Sequence, residues 1–392
     1  MIDSLYIAWK YIRFYRLRTL ILVACITLIA VLPLSLQLLL DESQQLLLSR
    51  AESTPLIVGA RGSALDLAMN TLYFSDEVPQ TIVAKTVEEV TATALAMGIP
   101  LHVRFQARGY PIVGSTLDYF DFRALKIASG RPLVRLGECV LGAQVAAELD
   151  LGPGDSLVSS PETVFDLAGI YPLKMQVVGV LEKNHSPDDL AVFVDIKTAW
   201  VIEGLGHGHE DVTKTSDASV LIERTETNVT ANAKLLQYAE ITEANRDAFH
   251  FHGDTSGYPL SAVLAVPEDA RSGTILRGRY LEDAAHQIIR PRDVIDGLLE
   301  NIFQIKEVID GVIVIVGLAT LLAIVLVFAL SIRLRGRELD TIFRLGCSRL
   351  TSVQLLASEM LIIVVLSGIL VVAALLVVNV YASDLVRLLI LR

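Results

Sequence analysis

The chain is 392 residues long, 53% hydrophobic by composition, and carries a formal net charge of -11 at pH 7. A soluble domain of this size rarely holds so much apolar sequence, and so acidic a chain argues against a nucleic-acid partner. It has only three cysteines, which excludes a disulfide-rich scaffold.

The first element is residues 1–18. Leu5, Trp9, Ile12 and Tyr15 fall on one face and the basic residues on the other. The pattern predicts an amphipathic helix on the cytoplasmic face of a membrane. The alternative is that it simply opens the next helix.

Three long apolar runs occur: the first lies within residues 19–42, and the others, 309–332 and 355–381, lie within the expected spans 305–334 and 354–381. Each exceeds the ~20 residues that cross ~30 Å of hydrocarbon as a helix. The first run is too long and too uniform for a cleaved signal, so it reads as a retained anchor. Pro33 is a candidate kink, and the helical pattern continues past Leu40 as a stalk.

Lys10, Arg13, Arg16 and Arg18 precede the first run, and Arg333, Arg335, Arg337, Arg344 and Arg349 lie between the second and third. Both clusters are expected on the cytoplasmic side. Residues 43–304 are then extracytoplasmic and, after an odd number of spans, so is the tail 382–392. By this topology Cys139 alone faces outward, so the outer domain holds no internal disulfide.

Within 43–304 the expected strands are Pro55–Gly59, His102–Gln106, Tyr110–Val113, Glu138–Leu141, Lys174–Leu181, Ala191–Val194 and Ala218–Ile222. The expected helices are Ala64–Leu72, Ala143–Leu149, Asp195–Ile202 and Thr230–Glu240. Strands interleaved with short helices indicate an α+β fold. The fold class is thus a membrane protein with α-helical spans and a large α+β extracytoplasmic domain. From Pro291, apolar residues recur at Ile295, Leu298, Ile302, Ile305 and Ile309, a coiled-coil-like seam that runs into the second span. One helix from Pro291 to about Arg335 would be roughly 65 Å long.

No G-x-x-x-x-G-K-[ST] occurs, so any ATP hydrolysis belongs to a partner. Neither G-x-S-x-G nor H-E-x-x-H occurs, and no spacing singles out a triad, so the chain is not expected to be an enzyme. His207 and His209 in Gly-His-Gly-His-Glu-Asp (206–211), and His250 and His252 in His-Phe-His-Gly-Asp (250–254), form two H-x-H pairs. With Glu210 and Asp254 they offer imidazole and carboxylate donors suited to zinc. The bland reading is a solvated loop, since no CxxC or helical H-x3-H fixes a geometry.

The segment 335–353 has basic ends, two acids and a helix-stopping Gly346. On physics alone it reads equally as a docking helix for a partner and as a basic loop on anionic lipid. Here the sequence resembles the cytoplasmic coupling region of the MacB/FtsX-like permease superfamily of ABC systems. That pattern is R-x-R-E-[IL], five residues, then [LIV]-G-[AC]-[ST]. It is met by Arg335, Arg337, Glu338, Leu339, Leu345, Gly346, Cys347 and Ser348. The family's basic residue two before the Leu-Gly pair is replaced by Phe343, with Arg344 next. Glu359, Gly368 and the N-terminal Arg16-Leu17-Arg18-Thr19 match further features. In the outer domain, Pro55–Ser63, Gly130-Arg131-Pro132, Val140–Glu148 and Val177–Leu181 look like its periplasmic core domain.

The resemblance implies the permease subunit of an ABC transporter in a bacterial inner membrane, with its large domain periplasmic. ATP would be hydrolysed on a separate ATPase subunit docked at Arg335, Arg337, Glu338, Leu339, Arg344, Leu345, Gly346 and Ser348. It also implies a second permease copy or a homologous permease, and a periplasmic protein or lipoprotein as client. Two variants keep the fold: a zinc-handling component using the histidine loops, and a signalling scaffold controlling a periplasmic partner. The chain departs from the family's four spans, since 382–392 is too short to cross a bilayer; it reads as a truncation, as an interfacial helix, or as a chain whose missing helix a partner supplies.

Overall fold

A computed structural model describes residues 2–160, 172–208, 221–224, 229–231, 239–334 and 348–390. It divides into two compact units, Met1–Leu47 with Leu298–Ile390, and Leu48–Gly297.

The chain opens with α1 (Ile2–Phe14) and α2 (Arg16–Glu52). Helix α2 continues through Pro33, which has no N–H to give the Ile29 carbonyl. Then come β1 (Leu56–Ala60), α3 (Ala64–Tyr73), β2 (Ile82–Val83), α4 (Lys85–Ala92), β3 (Ala96–Ala107), β4 (Tyr110–Ser115) and α5 (Leu117–Phe122). Next are β5 (Ile127–Gly130), β6 (Glu138–Leu141), α6 (Ala143–Leu149), β7 (Ser156–Val158), β8 (Lys174–Leu181), β9 (Val192–Asp195) and α7 (Ile196–Ile202). The unit continues with β10 (Gly206–Gly208), β11 (Leu221–Arg224), β12 (Val229–Ala231), β13 (Phe249–Phe251), β14 (Pro259–Leu260), β15 (Ala262–Pro267), α8 (Ala270–Arg279) and β16 (His286–Ile289). Helices α9 (Pro291–Leu334) and α10 (Arg349–Ile390) follow.

Local sequence explains several of these boundaries. Ser63, Asp195 and Asp269 each accept a backbone N–H at a helix start, from Asp66, Lys197 and Ser272. Pro291 opens α9, where its missing N–H costs nothing. The expected helix over Thr230–Glu240 is corrected at both described ends: Thr230 and Ala231 lie in β12, paired with β11, and Glu240 bridges to Lys174, while residues 232–238 lie outside the described residues. β-Branched Val229 and Thr230 suit a strand, and pairing outweighs helix propensity there.

Among the described residues, ten strands form one sheet in the order β16-β1-β15-β3-β4-β9-β6-β8-β5, with β7 also on β8. Strand β3 is the hinge of this arrangement. Its first half pairs with β15 and its second half with β4, with a register shift between Val103 and Phe105. A hydrophobic core sits on each side of it. One gathers Leu56, Val58, Trp200, Leu260 and Leu276; the other gathers Phe105, Ile112, Cys139, Leu157 and Met175. The α+β reading therefore holds, with two cores sharing one long strand. Cys139 lies buried in the second core, and burial pushes its thiol up to about 12.

In the helical unit, Ile12, Leu22, Val23 and Ile363 pack together. Arg16–Glu52 and Val353–Ala382 are long and apolar enough to cross a membrane, and little of either is covered by protein. Helix α9 is unbroken from Pro291 through the second apolar run to Leu334. Helix α10 continues past Ala382 to Ile390, so the described part of the tail is helical and not a separate element.

Candidate functional site

The two H-x-H pairs meet because two short strands bring them together. In the β10–β13 ladder, Gly206 faces Phe251, His207 faces His250, and Gly208 faces Phe249. Side chains alternate across a strand, so this register puts imidazoles on one face and aromatic rings on the other. The glycines make room for those rings. A Cβ on Gly206 would stand 2.5 Å from the Phe251 ring, and one on Gly208 would stand 2.6 Å from Phe249. Phe249 and Phe251 pack against the hydrophobic cores, which fixes the opposite face toward solvent.

On that outer face His207, His250 and His252 bring one ring nitrogen each to within 4.8 Å of one another. His252 Nε2 and His207 Nε2 are 3.4 Å apart. His250 Nδ1 lies 3.1 Å from the Ala248 carbonyl. A carbonyl only accepts, so Nδ1 carries a proton, and in the neutral ring Nε2 is then the nitrogen that bears the lone pair. Tyr258 Oη sits 2.8 Å from the His252 carbonyl and 3.2 Å from that of Leu205, beside the two strand ends. Trp200 packs edge-on against Tyr258 and donates to the Pro259 carbonyl at 2.8 Å. Asp254 does not join the cluster. Its carboxylate accepts from Ser256 N and Oγ, which hold it below the usual carboxylate range. His209 and Glu210 lie outside the described residues.

A second constellation went unseen in the sequence. Arg50, in the last turn of α2, donates to both Asp188 oxygens at 2.6 and 2.9 Å, to Tyr119 Oη at 2.8 Å and to the Leu72 carbonyl at 3.2 Å. Tyr119 Oη in turn donates to Asp188 at 2.8 Å. All three side chains are buried. Burial pushes the Asp188 carboxyl up, but the Arg50 guanidinium outweighs it and leaves the group below its ordinary value. Burial pushes the Tyr119 phenol up to about 12. Nothing in the local sequence distinguishes Arg50 or Asp188 from solvated charges.

Three of the four outer-domain segments singled out in the sequence converge on β8, while Pro55–Ser63 carries β1 between β15 and β16. Gly130 pairs with Gly179, and Gly179 also faces Val140. Gly130 has φ +81, a region that favours glycine. A Cβ on Gly179 would lie 2.4 Å from the Arg131 carbonyl. Arg131 donates to Glu138 at 2.8 Å, and Glu138 also accepts from the Val134 and Arg135 backbone at 3.0 Å each.

The sequence model of the MacB-like periplasmic core domain matches residues 20–247, more than half of the chain. The protein belongs to this MacB-like family. No curated protein matches it. Among solved structures, the periplasmic region of MacB from Actinobacillus actinomycetemcomitans is 12% identical with a TM-score of 0.35, over 65% of this chain and 98% of that one. The extracellular domain of the noncanonic ABC-type transporter YknZ from Gram-positive bacteria is 12% identical with a TM-score of 0.32, over 60% and 98%. In this MacB-like chain, seven residues of the expected ATPase-docking set lie outside the described residues: Arg335, Arg337, Glu338, Leu339, Arg344, Leu345 and Gly346. Ser348 is described; it is exposed and its Oγ accepts from Thr351 N at 3.2 Å, capping α10. Glu359, about three turns further along the same helix, is buried and takes Arg18 Nη2 at 3.4 Å.

Proposed function

We propose that this MacB-like protein is the membrane subunit of an ABC-type transporter, embedded in a bacterial inner membrane with residues 43–304 on the periplasmic side. ATP is hydrolysed on a separate subunit. That subunit docks on 335–353 through Arg335, Arg337, Glu338, Leu339, Arg344, Leu345, Gly346 and Ser348. The carrying observation is the family membership across 20–247, a match that takes in the first apolar run and most of the outer domain. The coupling pattern in 335–348 supports it from the sequence side. Helix α9 supports it from the structural side, being continuous from Pro291 to Leu334 at the edge of that segment. A second permease chain completes the membrane part, and the outer domain works on a periplasmic protein or lipoprotein.

Purification from native membranes in mild detergent, followed by mass spectrometry, tests the reading. An ABC ATPase in near one-to-one amounts is expected. Its absence, under conditions where a known ABC complex survives, overturns the proposal. In the same preparation Glu338→Lys is expected to remove stimulation of the ATPase while the chain stays folded. Full stimulation in that variant removes the docking assignment.

A further inference from the structure

We propose that His207, His250 and His252 form a binding site for a divalent transition metal of the zinc class on the face of the β10–β13 ladder. The site is independent of how the protein couples to an ATPase.

Three observations carry it. The first is spacing. Zinc binds imidazole nitrogen at about 2.0–2.1 Å, so two nitrogens of one tetrahedral site stand roughly 3.3–3.4 Å apart. The Nε2 atoms of His207 and His252 are 3.4 Å apart. The three donor atoms lie within 4.8 Å of one another, so the third closes in by a small turn of a side chain.

The second is orientation. Imidazoles that bind metal commonly give their other N–H to a carbonyl or carboxylate, which fixes the tautomer and raises basicity. His250 has that arrangement through Nδ1 and the Ala248 carbonyl at 3.1 Å. The Tyr258 hydroxyl, 2.8 Å from the His252 carbonyl, holds the turn that carries the third donor.

The third is the support. A cluster of histidines on a loose loop orders only at an entropic cost to the ligand. Here the backbone under His207 and His250 is a ladder whose other face is pinned by Phe249 and Phe251 over Gly208 and Gly206. His207 and His250 are half-buried and His252 is exposed, so an ion can reach them. An all-imidazole donor set favours zinc, copper and nickel over magnesium or calcium. Among the described residues three protein donors converge, and a tetrahedral ion held by three donors takes water or another ligand at its fourth position.

The test is titration of the full chain in detergent with Zn2+ alone, read by competition with a chromophoric chelator, and with Co2+ as a spectroscopic probe. One equivalent of Zn2+ is expected to bind tighter than ~10 μM, with the visible absorption of tetrahedral Co2+. His252→Ala, whose side chain is exposed so that folding is spared, is expected to weaken Zn2+ at least tenfold. His250→Ala is expected to do the same, and Asp254→Asn to leave affinity unchanged. Absence of saturable binding tighter than ~10 μM to the folded chain overturns the site. So does binding that keeps its affinity in both histidine variants.

Discussion

Arg50, Tyr119 and Asp188 show how one residue can decide the stability of an outer domain that has no disulfide. Asp188 is 1% exposed and sits in a bidentate grip from Arg50. Truncating one partner of such a pair leaves the other as a buried charge with no counter-ion, typically at a cost of about 3–5 kcal/mol. Asp188→Ala is therefore expected to lower the thermal midpoint of the full chain sharply, whereas Asp121→Ala, at an exposed position, leaves it nearly unchanged. The pH dependence has a fixed sign. Asp188 is held below its unfolded value, so its contribution is complete above the unfolded carboxylate value of about 3.9 and is lost as pH falls through the folded one. The gap between wild type and Asp188→Ala is expected to be constant from pH 7 to 5 and to shrink below about pH 4. A gap that widened in acid would contradict the burial of a charged pair. The cluster was illegible in sequence because its members stand 69 and 138 positions from Arg50, and only tertiary structure tells a buried charge from a solvated one. The histidines were legible because the H-x-H spacing needs no tertiary knowledge to put two rings on one face of a strand. What the spacing could not show was the Gly–Phe pairing that turns those rings outward.

At the scale of elements, β6, β8 and α6 follow directly from the sequence, as bounded runs with a clear period. Strand β15 does not, although it lies between β1 and β3 in the sheet. Its residues Ala262–Ala265 are buried without alternation, so the period-2 signal that marks a half-exposed strand is absent. The expected helix at Thr230 fails for a related reason, since two strand residues decide little until a partner strand is present. Among the helices, the ion pair between Arg18 in α2 and Glu359 in α10 is the feature most open to test. A carboxylate in an apolar helix is costly unless it is paired, and Glu359 is 5% exposed where Arg18 is 32% exposed. Arg18→Ala and Glu359→Ala break the same bond. The double variant is expected to lose clearly less thermal stability in detergent than the two single losses added together. Strict additivity would mean that the contact contributes nothing.

For the whole molecule, the distribution of basic residues makes the strongest demand. Four Lys or Arg precede the first apolar run at positions 10–18, and five lie at 333–349 between the second and third. If both clusters stay in the cytoplasm, residue 350 is inside and residue 121 outside. Leu350 and Asp121 are both exposed and so suit labelling. Cys25 and Cys347 have to be replaced, but Cys139 can stay, because it is fully buried and its thiol is pushed up to about 12. In that background a membrane-impermeant maleimide applied to spheroplasts is expected to label Asp121→Cys at once. Leu350→Cys should react only after the membrane is opened. Labelling of Leu350→Cys in closed spheroplasts would place 335–353 outside, away from ATP, and the docking role of Arg337 and Glu338 would fall with it. Protection of both positions would place the MacB-like domain itself in the cytoplasm. The labelling pattern thus tests the premise shared by the ATPase-docking and periplasmic readings, and it requires no knowledge of the transported or controlled partner.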